Sequence, residues 1–328
     1  MRKLLIGMPV ILVAIMVWAY FFLPATMLSY TTQAEREAAG LEVKSITVGS
    51  HDIRYLEGGE GEILLLIHGF GANKDAWVDF SKHLIKSYHI IALDLPGWAK
   101  SQYHETENYG VTAQVKRLKE IVTALGVEKY HVVGSSMGGW ISGVLAHADA
   151  DRVLSLGLVD NAGITPPNKN EFFTALEQGN NMLDVKSAED IDRVLSLVFY
   201  NPPEIPKFIK PYLAKKSIER QPMNSKIMQD LMADPVPLEP LLPDLNMPTF
   251  IIWGKNDRLI DVSAVDVMEP LLKNSTIVIL ENTGHVPMRE KPEIMADHYR
   301  AFLKSAAMER AASDKVALES AKLATAAE

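Results

Sequence analysis

There is no cysteine anywhere in the 328 residues. That absence excludes a disulfide scaffold, a zinc ribbon or finger, iron–sulfur ligation, a thiol nucleophile and a lipidated-cysteine anchor. Positive charge is also in short supply. The 33 Lys and Arg are outnumbered by 41 Asp and Glu, a net charge of -8. No basic face able to neutralise a run of phosphates is evident, so nucleic acid is not an expected partner. Hydrophobic residues are plentiful: 48%, beside an ordinary 23% of charged residues, which excludes a disordered chain. The length suits one large domain or two small ones. The mean hydropathy of +0.03 is slightly high for a soluble enzyme.

Part of that hydropathy lies at the start. Leu4–Phe22 (LLIGMPVILVAIMVWAYFF) is uncharged and almost wholly apolar. As a helix it would span about 28 Å, close to the ~30 Å of a bilayer core. Arg2 and Lys3 precede it, and Trp18 and Tyr20 lie near its far end, where an aromatic belt falls. A cleaved signal peptide is the competing reading, but its apolar stretch is usually ~7–15 residues. Leu23–Met27 also offers no clean cleavage site. The sequence therefore reads as an uncleaved membrane anchor over 1–30 and a tether over 31–43. The basic flank keeps the N-terminus cytoplasmic and places the remainder on the extracytoplasmic, periplasmic side.

From Lys44 the pattern turns to strands. VKSITVGS and HDIRYLEG come first, followed by the continuous apolar runs ILLLIHG, HIIALDLPG, YHVVG and VLSLGLV. Continuous runs suit strands buried on both faces of a parallel sheet. Helix-period stretches separate them, which predicts an α/β fold with right-handed crossovers. The alternation breaks over 163–245, where only helical patterns occur. It resumes with PTFIIWG and STIVILEN, and a helix from Pro292 to Lys304. The core is thus expected over 44–162 and 246–304, with a helical lid at 163–245. A tail at 305–328 reads as frayed helix or disorder.

Gly134-Ser135-Ser136-Met137-Gly138 is a G-x-S-x-G pattern between a buried strand and a helix. A sharp strand-to-helix turn lifts the central serine above the sheet, at a helix N-terminus that favours negative charge. Ser136 is the candidate nucleophile, and Ser135 its inert neighbour. A serine needs a base, and the base needs an orienting acid. His285 lies in the loop after the last strand, at the same sheet edge. Asp257 follows the strand IIWG, again at a C-terminal end. Asp160, ending LGLVD, is the rival acid, whereas Asp261 suits a helix cap. Two N–H donors are needed for the developing oxyanion: Met137 supplies one, Phe70 of His68-Gly69-Phe70-Gly71 the other. His68 and Asp94 read as loop-shaping. Trp98 either touches substrate or packs.

HGFG, DLPGW, GSSMGG, IIWGKND and NTGH, in this order, resemble the α/β-hydrolase superfamily. Gly69–Trp77, Gln114–Arg117, Ile251–Asp257 and Leu280–His285 are more specific. They resemble the membrane-anchored monoacylglycerol lipases of that superfamily and their bacterial lipase relatives, over about Val43 to Leu303. The resemblance implies an eight-stranded, mostly parallel sheet flanked by helices, with an inserted lid and an N-terminal transmembrane helix. It puts nucleophile, acid and base at Ser136, Asp257 and His285, and oxyanion donors at Phe70 and Met137. Ala99-Lys100 departs from the wider pattern, where a glycine often stands.

The apolar groups of the lid either line an acyl pocket or pack on each other. Trp98, Phe199 and Met228 are the candidate substrate contacts. The expected activity is hydrolysis of acyl esters through an acyl-enzyme on Ser136, with monoacylglycerols, lysophospholipids or short-to-medium acyl esters as substrates concentrated in a bilayer, and with no metal or cofactor required. Hydrolysis of a carbon–carbon bond in aromatic ring-cleavage products is the alternative. A non-catalytic anchored binding protein is the other.

Overall fold

The structure, a computed structural model, describes residues 23–325. The anchor expected over Leu4–Phe22 lies outside the described residues. Among those described, no helix is long and apolar enough to cross a membrane.

Eight strands form one sheet: β1 (Glu42–Val48), β2 (His51–Gly58), β3 (Glu62–Ile67), β4 (Tyr88–Leu93), β5 (Tyr130–Ser135), β6 (Val153–Val159), β7 (Thr249–Gly254) and β8 (Ser275–Leu280). Their spatial order is β1-β2-β4-β3-β5-β6-β7-β8. The first two strands pair antiparallel with each other, and β2 pairs antiparallel with β4; the other pairings are parallel. The mostly parallel eight-stranded sheet expected from the sequence is present.

The continuous apolar runs arise because both faces of the sheet are covered. In β3, Leu65 and Ile67 enter one core layer, and Leu64 and Leu66 the other. In β7 the same split separates Ile251 and Trp253 from Phe250 and Ile252. Successive side chains of a strand point to opposite faces, so a sheet sandwiched by helices needs an apolar residue at every position. After the helix over 23–38 (α1), the elements covering the faces are α2 (Val78–Lys82), α3 (Val111–Ala124), α4 (Met137–Ala148), α8 (Ala264–Met268), α9 (Pro287–Glu290) and α10 (Pro292–Thr325). The first face packs on α3, α4 and α8, the second on α2 and α10. Between β6 and β7 the chain makes α5 (Glu171–Glu177), α6 (Asp190–Val198) and α7 (Lys210–Ala233).

Two terminal segments pack on the core. Arg36 donates to both carboxylate oxygens of Asp75, at 2.7 Å each, and Ala39 and Leu41 are buried beside Trp77 and Phe80. A bidentate Arg–carboxylate pair fixes orientation as well as distance, so it docks the helix it stands on. At the other end, α10 continues well past Lys304. Ala306 is buried, Glu309 accepts from Asn274, and Arg310 reaches Glu62 of β3.

Candidate active site

The site forms where strand C-termini meet the α5–α7 segment. Ser136 occupies the single position between β5 and α4, with φ 55° and ψ −123°. A positive φ is costly for a residue carrying Cβ, so the surroundings must hold it there. Its N–H donates to Val159 O at 2.9 Å, and its C=O accepts from Trp140 and Ala162. Glycine is needed on either side because three segments crowd together. A Cβ on Gly134 would sit 2.1 Å from Gly138 O, and one on Gly138 2.4 Å from His68 O.

The loop after β3 approaches the serine from above. A Cβ on Gly69 would lie 3.1 Å from Ser136 Cβ. His68 is fully buried. Its Nδ1–H donates to Gly69 O at 2.8 Å, and its Nε2 accepts from Leu95 N–H at 3.1 Å. Burial pushes its pKa down, so the ring stays neutral, as this bonding pattern requires. Asp94 accepts from both the backbone N–H and the Nζ of Lys74, at 2.8 Å each, and its C=O accepts from Ser101. These two residues hold the loops in place and do not face the serine. Phe70 and Met137, the expected oxyanion donors, both border the space at Ser136.

The acid and base meet across two loops. Asp257 Oδ2 lies 2.7 Å from His285 Nδ1, and Asp257 Oδ1 accepts from Leu259 and Ile260 N–H at 2.7 and 3.1 Å. Both residues are buried. With Nδ1 committed to the carboxylate, Nε2 is the nitrogen left for proton exchange. His285 borders the same cavity as Ser136. Asp261 accepts from Ser263 N–H and takes no part in the pair; the expected cap role falls away, because the N-cap of α8 is Ser263.

Asp160, the rival acid, is fully buried beside this pair. Its Oδ1 accepts from Gly254 N–H at 2.9 Å, and ligating atoms of Asp160, Asp257 and His285 lie within 4.8 Å of one another. Burial, then the neighbouring Asp257 carboxylate, drives the Asp160 carboxyl well above its usual range. Its protonated form is therefore favoured, and Asp257 is the carboxylate that reaches the histidine. Sequence reading did not foresee a second carboxyl buried against the pair. It also missed Glu290, which accepts from Gly284 N–H at 2.6 Å and from Tyr200 N–H at 2.9 Å. Glu290 thereby ties the loop carrying His285 to the end of α6. His285 N–H itself donates to Val198 O at 2.8 Å.

Two cavities open from Ser136 and share Phe70, Leu183 and Leu259 in their walls. The larger, about 530 Å³, is walled by Trp140, Phe172, Phe173, Leu176, Met228 and Leu231 among others. The smaller, about 290 Å³, contains His285 and the α7 residues Ser217, Gln221 and Asn224.

Of the three candidate substrate contacts, only Met228 lines either space. Trp98 is buried behind Phe70, ring centroids 4.9 Å apart, and so supports that residue from the core side. Phe199 lies just past the end of α6, where its neighbour Val198 takes the cavity wall instead. The strand-like φ and ψ of Phe199 turn the chain there, which changes the face presented.

Comparison with known proteins agrees with this architecture. Residues 62–187 match the alpha/beta hydrolase fold family. Lipase 1 of Psychrobacter immobilis is 36% identical over 82% of this chain and 86% of its own. Monoacylglycerol lipase abhd6-B of Xenopus laevis is 30% identical over 88% and 89%. The crystal structure of a membrane phospholipase A, a bacterial virulence factor, superposes with a TM-score of 0.86. It is 43% identical, covering 93% of this chain and 99% of that one. The chain belongs to the alpha/beta hydrolase fold family. Within it, this is a carboxylic ester hydrolase of the serine type.

Proposed function

We propose that the protein is a membrane-tethered lipase that cleaves monoacylglycerols or short-to-medium-chain acyl esters through an acyl-enzyme on Ser136. The observation carrying this reading is the Asp257–His285 contact of 2.7 Å, opening on the cavity that holds Ser136. Ser136 Oγ attacks the ester carbonyl while His285 Nε2 takes its proton. Asp257 holds the imidazole in the required tautomer and stabilises the imidazolium. The N–H groups of Phe70 and Met137 receive the charge that develops on the carbonyl oxygen. The acyl C–O bond breaks, and the leaving alcohol takes the proton back from His285. Water, deprotonated by the same nitrogen, then releases the acid and restores Ser136.

The apolar cavity under α5 and α7 suits the acyl chain, and its methionine and leucine walls suit chains of varied length. Ester cleavage is favoured over carbon–carbon cleavage because the relatives matched over most of the chain are lipases. The tether reading rests on the apolar run Leu4–Phe22, which holds the site next to amphiphiles already gathered in a bilayer. The 163–245 segment acts as the cap over the site.

The test is hydrolysis of p-nitrophenyl esters and monoacylglycerols across chain lengths, with Ser136→Ala as control. Turnover that Ser136→Ala abolishes supports the reading; absence of turnover at every chain length sinks it. Deleting residues 1–22 should move the protein from the membrane to the soluble fraction. Protease protection of the catalytic domain in intact cells, lost when the outer membrane is opened, would place it in the periplasm.

A further inference from the structure

The two cavities at Ser136 differ in chemistry, and His285 decides which part of the substrate enters each. His285 borders the smaller space and not the larger. The leaving alcohol takes its proton from His285, so the alcohol must occupy the smaller space and the acyl chain the larger. This step rests on the acyl-enzyme reading above.

The α7 wall of the alcohol cavity is polar in a regular way. Ser217, Gln221 and Asn224 stand at i, i+4 and i+7 of one helix, which is a single face. All three are half-buried. Among the described residues, Asn224 Oδ1 is cut off from solvent and has no hydrogen-bond partner. A buried amide oxygen left unpaired is destabilising, and native proteins rarely leave one so without a functional reason. These groups offer both donors and acceptors, which is what an alcohol with further hydroxyls needs. The charge of the cavity points the same way. Among the described residues its wall includes one carboxylate, Asp184, and no lysine or arginine. A phosphate there would meet a like charge and no cation.

We propose that Ser217, Gln221 and Asn224 form a subsite that reads the free hydroxyls of an uncharged polyol ester, and that this subsite discriminates against anionic headgroups. The geometry assigns specificity to α7, a part of the chain remote in sequence from Ser136, Asp257 and His285.

The test uses the full-length protein in detergent micelles and three esters of decanoic acid: the glycerol monoester, the ethyl ester and the lysophosphatidylglycerol. Wild type should favour the glycerol ester over both others in kcat/KM. Gln221→Leu and Asn224→Leu should each lower the glycerol-to-ethyl ratio by roughly threefold to tenfold, the value of one hydrogen bond. Ser217→Ala, the smallest change, should lower it in the same direction. An unchanged ratio in all three variants overturns the subsite. So does a wild-type preference for the lysophosphatidylglycerol. Loss of turnover on all three esters by wild type would instead overturn the ester reading on which the subsite depends.

Discussion

Asp160 and Asp257 are two buried carboxyl groups side by side, and only Asp257 reaches His285. Like charges so close cannot both be carried in a buried site, so one carboxyl keeps its proton. The bonding separates their roles: Asp257 receives two backbone N–H groups and the imidazole, Asp160 one N–H. Asp257→Asn should therefore lower kcat by roughly 10³- to 10⁴-fold, because the amide favours the wrong imidazole tautomer. Asp160→Asn imitates a group that is already neutral and should cost only a few-fold. Steady-state kinetics on p-nitrophenyl butyrate measures both. Equal losses from the two substitutions would show the roles to be shared.

The same pair predicts a pH dependence of stability. The folded Asp160 pKa is raised above that of the unfolded chain. Between the two values the folded state binds more protons, so stability falls as pH rises through that window. It is fully present below the ordinary carboxylate range of about 4 and is lost as pH climbs to the raised folded value. Asp160→Asn should remove this slope and gain relative stability at the alkaline end. Urea unfolding midpoints of the two proteins across pH test it. Parallel curves would mean that Asp160 does not hold its proton.

Gly69→Ala probes how closely the loop after β3 must approach the serine. The added Cβ would lie 3.1 Å from Ser136 Cβ and 3.2 Å from Ser135 O. Neither neighbour gives way easily, since both sit in a turn fixed by Gly134 and Gly138. The loop must therefore lift, carrying the Phe70 N–H away from the oxyanion. A displacement of this size costs on the order of 10²-fold in rate. The expected result is a loss in kcat with KM and thermal midpoint little changed. A fall in thermal midpoint with kcat intact would place the strain in folding and not in catalysis.

Much of this arrangement was legible in the sequence, for identifiable reasons. Strands covered on both faces must be apolar at every position, so ILLLI and TFIIW declare themselves. The turns bearing Ser136, Asp257 and His285 follow β5, β7 and β8, and the sheet order brings their ends together. The failures were of another kind. A tryptophan after a Pro-Gly turn does not reveal on which side of Phe70 it packs. Phe199 missed the cavity by one residue, because the end of α6 sets the face presented. The docking of α1 depends on an ion pair between residues 39 positions apart, Arg36 and Asp75. Ser217, Gln221 and Asn224 belong to no motif, and only the fold sets them against the cavity.

Glu290 connects the loop carrying His285 to the cap. Its Oε1 accepts from Gly284 N–H, and its Oε2 from Tyr200 and Asn201 N–H. Glu290→Ala removes both acceptors and leaves the loop without its tie to α6. His285 keeps its backbone bond to Val198, so the base is loosened and not lost. The expected effect is a roughly 10- to 100-fold fall in kcat, the usual scale for a mispositioned general base. Glu290→Gln keeps one acceptor oxygen for Gly284 and should recover part of the loss. If both variants retain full activity, the cap does not position the base.

The acyl assignment of the larger cavity can be tested by filling it. Met228 is half-buried on α7 and shares the wall with Leu176 and Phe173. Met228→Trp adds aromatic volume to a space of about 530 Å³ and leaves Ser136, Asp257 and His285 unsubstituted. A short acyl chain occupies only the region nearest the serine and should be hydrolysed as before. A long chain must pass the new ring, and each methylene denied burial forfeits about 0.8 kcal/mol of binding. The loss should grow with chain length, by roughly fourfold per excluded methylene, and appear in kcat/KM. Measured over p-nitrophenyl acetate to laurate, the optimum should move to shorter chains. A uniform loss at every length would mean that the acyl chain lies elsewhere, and would reverse the assignment of the two cavities.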